Sequence, residues 1–253
     1  MKESLGDRQK RARQILRRLR KAYPDAGCEL DWHTPLQLTV ATILSAQCTD
    51  RRVNLVTPAL FKKYRTARDW AATPRETLEE EIRSTGFFRN KAKNIQALMT
   101  RLEEEFNGTL PSDFDVLLSL PGIGRKTANL LAATLFDQPG LIVDTHFIRL
   151  SNRLGFVANL TDAVKIEFSL QKIVPRRDWT DWSHGMVIHG RRCCYAWKPN
   201  CEGCPIRPLC PSAFTAGWSK AACAKPSPYA SAPSKGHAKT TARAACSRTS
   251  KSA

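Results

Sequence analysis

The 253-residue sequence predicts an all-α protein, and three observations carry that prediction. Apolar residues recur three and four positions apart through most of residues 7–192, the spacing of one helix face. No stretch alternates apolar and polar residues as a half-buried strand would. Proline and glycine divide the pattern into many helices of modest length with short connections.

Residues 7–22 read as a basic amphipathic helix with Ile15, Leu16 and Leu19 on one side. Pro24 and Gly27 break the chain before a largely buried helix over residues 35–46, with Leu36, Leu38, Val40, Ile43 and Leu44 at its apolar positions. Residues 45–50 (SAQCTD) interrupt the pattern, and a helix over residues 51–63 follows. Residues 67–70 and 74–82 are short helical pieces. Gly86 ends the second of these, and Phe87 and Phe88 then stand beside Arg89, Lys91 and Lys93. Residues 91–106 are helical again, closed by Asn107 and Gly108. Beyond Pro139 and Gly140, Asp144 or Thr145 caps a short helix that ends before Gly155. Residues 161–174 form a helix stopped by Pro175, and residues 179–192 form another that runs into a group of cysteines.

The stretch LPGIGRKTAN, residues 120–129, organises the rest. Helical spacing precedes it (Phe114, Leu117, Leu118) and follows it (Ala128, Leu131, Leu135), while Pro121, Gly122 and Gly124 break the period in between. This is a helix, a tight hairpin and a second helix. The second helix starts with unpaired N–H groups at its positive dipole end, which is a phosphate site made of backbone. Arg125 and Lys126 add charge at the same place. A P-loop would need four residues between its glycines, a glycine before the lysine and a preceding strand, and none of these is present.

The formal net charge is +17, an excess that points to a polyanionic partner, nucleic acid before anionic membrane. From residue 217 onward, seven lysines and arginines and no acid lie in a polar sequence without periodicity, read as a disordered basic tail over residues 215–253. The remainder keeps +10, so the body is basic in its own right. No apolar run approaches membrane length, and the polar, partly acidic N-terminus argues against a secretory signal, which makes the cytoplasm the expected compartment.

Five of the nine cysteines, Cys193, Cys194, Cys201, Cys204 and Cys210, crowd into eighteen residues. In a reducing compartment such crowding favours metal ligation over disulfides. With Cys194, Cys201, Cys204 and Cys210 as ligands the spacing is C-x6-C-x2-C-x5-C, which suits zinc or a four-iron four-sulfur cluster. Only one close pair exists, and proline follows two of the four, which leans toward iron–sulfur; Cys193 is the spare and packs. Lys198 lies in the loop between the first two ligands, where it faces a phosphate backbone if the cluster holds the loop there.

Four motifs in order, SAQCTD, LPGIGRKTAN, VDTHFIRL and HGR followed by the cysteine spacing, resemble endonuclease III, the bifunctional DNA glycosylase of base excision repair, over roughly residues 8–214. The resemblance implies a two-lobed helix-hairpin-helix glycosylase fold. One lobe, residues 26–137, carries the hairpin; residues 1–25 with 138–214 form the other, which holds a four-iron four-sulfur cluster. Double-stranded damaged DNA would lie across the groove, bound by a monomer in the nucleoid. The family's catalytic lysine falls on Lys126 and its catalytic aspartate on Asp144. The resemblance makes Gln47 the wedge that fills the duplex when a nucleotide is flipped out, with Phe87 pushing from the other side. Gly122, Gly124, Arg125 and Lys198 are the remaining expected DNA contacts, and Arg89, Lys91, Arg149 and Arg153 are candidate phosphate contacts. The aromatic pair Phe87–Phe88 departs from the aliphatic-tyrosine pair common in the family. An adenine glycosylase of the same superfamily would lack a lysine at position 126. A pyrimidine-dimer glycosylase would keep both Lys126 and Asp144, and a non-catalytic DNA-binding module would need neither.

Overall fold

The computed structural model describes residues 3–215, so the basic tail beyond Thr215 lies outside the described residues. Eleven α-helices and three short 3-10 turns make up the regular structure, with no strand among the described residues. The helices are α1 (Leu5–Ala22), α2 (Pro35–Leu44), α3 (Asp50–Lys63), α4 (Ala67–Ala72), α5 (Arg75–Ile82), α6 (Phe88–Phe106), α7 (Phe114–Ser119), α8 (Arg125–Leu135), α9 (Thr145–Arg153), α10 (Ala163–Gln171) and α11 (Trp179–Arg192). No helix among the described residues is long and apolar enough to cross a membrane.

Several boundaries differ from the sequence expectation by up to three residues, and three of them have a clear local reason. α2 stops at Leu44 rather than residue 46, because Cys48 N–H bonds back to the Ser45 carbonyl and Gln47 takes a left-handed backbone (φ 51°). α6 begins at Phe88 rather than residue 91, started by Phe87, also left-handed (φ 49°). α10 begins at Ala163 because the Asp162 carboxylate accepts from the N–H groups of Val164 and Lys165, which makes Asp162 the cap.

Apolar burial is divided between two clusters. The first is built from α2 to α8 and includes Leu38, Trp70, Ile95, Leu98 and Leu131. The second combines α1 with residues 141–206 and includes Ile15, Leu19, Phe147, Trp182 and Met186. Much of what links them is polar. The Arg125 guanidinium on α8 holds both carboxylate oxygens of Glu167 on α10, at 2.7 and 2.9 Å. Arg191 on α11 reaches Asp50 at the start of α3 (3.0 Å) and also Glu29. Asn129 on α8 donates to the Leu141 carbonyl at 3.1 Å.

Glu167 is 3% exposed and lies between Ala163, Ile166 and Leu170 on the apolar side of α10. A carboxylate buried there is stable only while its cation is present. Replacing Arg125 by alanine is expected to cost about 3 kcal/mol of unfolding free energy, while Arg125→Ala with Glu167→Gln recovers part of that loss. Urea denaturation of the four members of this cycle measures both quantities.

Candidate nucleic-acid interface and metal centre

The hairpin between α7 and α8 is shaped by packing from below. Leu120 caps α7, the Ile123 N–H bonds back to the Leu120 carbonyl (3.2 Å), and Ile123 is buried. Gly122 has φ +77°, and a Cβ placed there would stand 2.9 Å from Cβ of Asn94 on α6. Glycine is therefore required twice, for its conformation and for the approach of α6. Gly124 differs. It caps α8 with ordinary extended backbone (φ −87°, ψ 172°), no side chain closes the helix end, and an added Cβ would meet nothing within 4 Å. The first turn of α8 thus opens onto unfilled space with its N–H groups uncapped, the arrangement that accepts an anionic oxygen.

Lys126 is exposed in that first turn, and no ion pair holds it among the described residues. Arg125, the neighbouring candidate DNA contact, is held internally. Its guanidinium is bound by Glu167 and stacked near Phe114 and Phe168, at 5.5 and 5.1 Å from the ring centroids. Its charge is already neutralised, so it braces α8 rather than presenting a free cation.

Asp144 caps α9, with Oδ1 accepting from the Phe147 N–H at 2.7 Å, and is half-buried. The segment before it is fixed by three contacts. Asn129, one turn beyond Lys126, donates to the Leu141 carbonyl. The Ile142 N–H donates to the Ser183 hydroxyl at 2.9 Å, and Gly140 fits only because a Cβ would meet the Asn129 side chain at 2.7 Å. The helix bearing Lys126 and the segment bearing Asp144 are registered through Asn129. No ion pair joins the two side chains among the described residues.

Gln47 and Phe87 are both exposed, Phe87 to 61%, and both stand on left-handed backbone. Phe88 turns inward against the first cluster, with Arg83 and Arg89 near its ring. Of the other candidate phosphate contacts, Lys91 is 4% exposed and bonds backbone carbonyls of Leu44 and Thr85. Arg149 and Arg153 are also turned to internal carbonyls. Arg149 donates to Gly190 and Cys194, and Arg153 to Tyr195 and Ala196. The burial of Lys91, though not its partners, has a local signal, since it falls on the same helical stripe as Phe88, Ala92 and Ile95. Lys198 is exposed, with φ 55°, beside Trp197, which is 86% exposed and carried no signal in the motif reading.

The cysteines form the second part of the site. Cys193 caps the end of α11, and the loop that follows brings Cys194, Cys201, Cys204 and Cys210 to the wall of one cavity with His189, Cys193, Leu150 and Ile206. Burial pushes the Cys194 and Cys210 thiols up, so thiolates there need a cation. Arg153 stands 3.2 Å from Cys194 Sγ. This donor set fits a metal centre bound through sulfur. A tighter group, His189, Cys193 and Cys204, has its ligand atoms within 4.8 Å of one another, and His189 is a donor that the spacing argument missed. Cys193 Sγ itself is turned toward the Asn200 carbonyl (3.4 Å).

The two hairpin glycines separate stability from binding. Gly122→Ala is expected to destabilise the fold by about 2 kcal/mol through strain and overpacking. Gly124→Ala should leave the urea midpoint unchanged and weaken binding to duplex DNA, because only the ligand side of that glycine is open. Parallel denaturation and DNA titrations compare the two.

Comparison with known proteins places this geometry. A family model for the HhH-GPD superfamily base excision DNA repair protein matches residues 40–176. Endonuclease III of Synechocystis is 51% identical over 210 residues, which covers 83% of this chain and 95% of the relative. A solved non-covalent endonuclease III–DNA complex superposes with a TM-score of 0.77 at 46% identity, covering 81% of this chain and 96% of that one. A trapped endonuclease III–DNA covalent intermediate gives 0.78 at 45% identity with the same coverage. With an uncapped hairpin helix, an aspartate-capped helix registered to it and a cysteine loop in that order, the chain belongs to the endonuclease III family of helix-hairpin-helix base excision repair proteins.

Proposed function

We propose that the protein is a DNA glycosylase and AP lyase of base excision repair that removes oxidised pyrimidines and cleaves the strand 3′ to the abasic site. The observation that carries this reading is Lys126, exposed and without an ion pair among the described residues, beside the open end of α8 on a helix that Asn129 holds in register with Asp144.

In this reading DNA phosphate binds the backbone at Gly122 and Gly124, and Lys198 adds a second contact from the cysteine loop. The damaged nucleotide leaves the duplex, and Gln47 and Phe87 fill the gap. Asp144, whose Oδ2 has no partner among the described residues, accepts a proton and stabilises positive charge developing on the sugar. Lys126 Nζ forms a bond to C1′, and the glycosidic C–N bond breaks with its electron pair leaving on the base. Ring opening gives a Schiff base. Loss of a proton from C2′ then expels the 3′ phosphate, and hydrolysis of the imine returns the lysine.

The same reading assigns a four-iron four-sulfur cluster to Cys194, Cys201, Cys204 and Cys210, and two lobes at the boundaries expected above. When bound, the cluster supplies four thiolate bonds that close the loop carrying Lys198. These four cysteines line one cavity together with Cys193 and His189, and the His189–Cys193–Cys204 group is the single-ion alternative. The protein would act as a monomer on double-stranded DNA in the bacterial cytoplasm, associated with the nucleoid.

Borohydride trapping on duplexes carrying an abasic site or thymine glycol tests the chemistry. A covalent adduct on both is expected, lost in Lys126→Ala. Strand cleavage unchanged in that variant would refute the mechanism. Metal analysis tests the cluster: about four irons per chain, lost in Cys201→Ser and kept in Cys193→Ser, is the expected result. One zinc per chain that depends on Cys193 would favour the single-ion site.

A further inference from the structure

Lys91 is a lysine with almost no access to water and no carboxylate partner among the described residues. It sits one turn into α6, and its Nζ donates to two carbonyls, Leu44 O at 2.7 Å and Thr85 O at 2.8 Å. Leu44 is the last residue of α2, and Thr85 is the last of the 3-10 turn Arg83–Thr85. Each carbonyl belongs to a helix end, where backbone acceptors lack an intrahelical partner and the dipole is negative. A buried ammonium suits that position, and no neutral apolar side chain would satisfy both acceptors.

The two carbonyls open the two exposed segments of the site. Gln47 lies three residues after Leu44, and Phe87 two residues after Thr85. Both are exposed and left-handed. The other hydrogen bonds made by residues 45–49 and 83–87 reach no further than four residues along the chain: Ala46 to Ile43, Cys48 to Ser45, Gly86 to Arg83, Thr85 to Ile82. Among the described residues, the Lys91 ammonium is the one side chain that hydrogen-bonds the backbone leading into both segments. Asn94, on the next turn of α6, lies under Gly122 of the hairpin.

We propose that Lys91 is a positioning residue for nucleotide extrusion, whose ammonium ties the Gln47 segment to the Phe87 segment and sets the separation of the two side chains that enter the duplex. This rests on the reading of Gln47 and Phe87 as void fillers. The 3-10 turn before Phe87 also packs on α3 and α6, and the Lys91 ammonium adds the directional bonds that fix the distance between the two segments. A displacement of the two segments would leave Lys126 and Asp144 untouched, because these are registered separately through Asn129.

The test compares one lesion in two settings. Single-turnover cleavage is measured for full-length protein on thymine glycol in a duplex, where a base must leave the stack, and on the same lesion in a single-stranded oligonucleotide, where none must. Lys91→Met keeps the aliphatic stem and removes the donors. The expected result is a loss of about tenfold or more on the duplex with the single-stranded rate largely unchanged. Equal loss on both substrates, or loss on neither, would overturn the proposal. Gln47→Ala and Phe87→Ala, run on the same pair, separate the two levels of the argument. If they fail to distinguish the substrates, the void-filling reading fails; if they distinguish them and Lys91→Met does not, only the role of Lys91 fails. Should Lys91→Met lose its metal centre or its melting transition, Lys91→Gln, which keeps one amide donor, replaces it with the same expectation at smaller size. Failure of both variants to fold would make Lys91 a determinant of the fold and also overturn the proposal.

Discussion

A surface that binds a polyanion has to leave its donors free, so the order of its loops must come from beneath. That constraint recurs at each exposed segment here. Asn94 lies under the hairpin at Gly122, Lys91 under the segments bearing Gln47 and Phe87, and Asn129 behind the chain leading to Asp144. Arg153 holds the Tyr195 and Ala196 carbonyls ahead of Lys198. Each support is a buried or half-buried polar side chain on a helix, bonded to backbone carbonyls or packed against a glycine. Backbone bonded in this way holds its shape while its other face stays open to the ligand.

The same arrangement divides the cations into two classes. Lys126 and Lys198 are exposed and unpaired among the described residues. Arg125, Arg149, Arg153, Arg191 and Lys91 are occupied by internal carboxylates and carbonyls. Part of the basic excess of the body therefore holds the fold together. The two apolar clusters meet partly through such polar links, which are directional and fix register where apolar contact would allow sliding. Register matters because the proposed nucleophile belongs to one cluster and its aspartate to the other.

The cysteine loop follows a related rule. Its thiols line a cavity that desolvates them, and its backbone carbonyls are claimed by Arg149 and Arg153. A metal centre there would neutralise thiolates that burial disfavours. The free energy of ligation would then act on the same loop that presents Lys198 and the exposed Trp197.

The sequence by itself determined the all-α class, the helices to within a few residues, the hairpin and a cap at Asp144 or Thr145, because these follow from periodicity, proline and glycine placement and N-cap chemistry; the structure chose Asp144. It also marked the cysteine spacing, a local pattern. What only the tertiary structure decided is which charged side chains are spent internally. Arg125 and Lys91 look like phosphate contacts because they stand in basic stretches beside glycines. Their partners, Glu167 and the Leu44 carbonyl, lie forty-two and forty-seven residues away. A carboxylate or a helix-end carbonyl that distant leaves no trace in local spacing. Its effect on a cation depends on a distance of under 3 Å that only the folded chain creates.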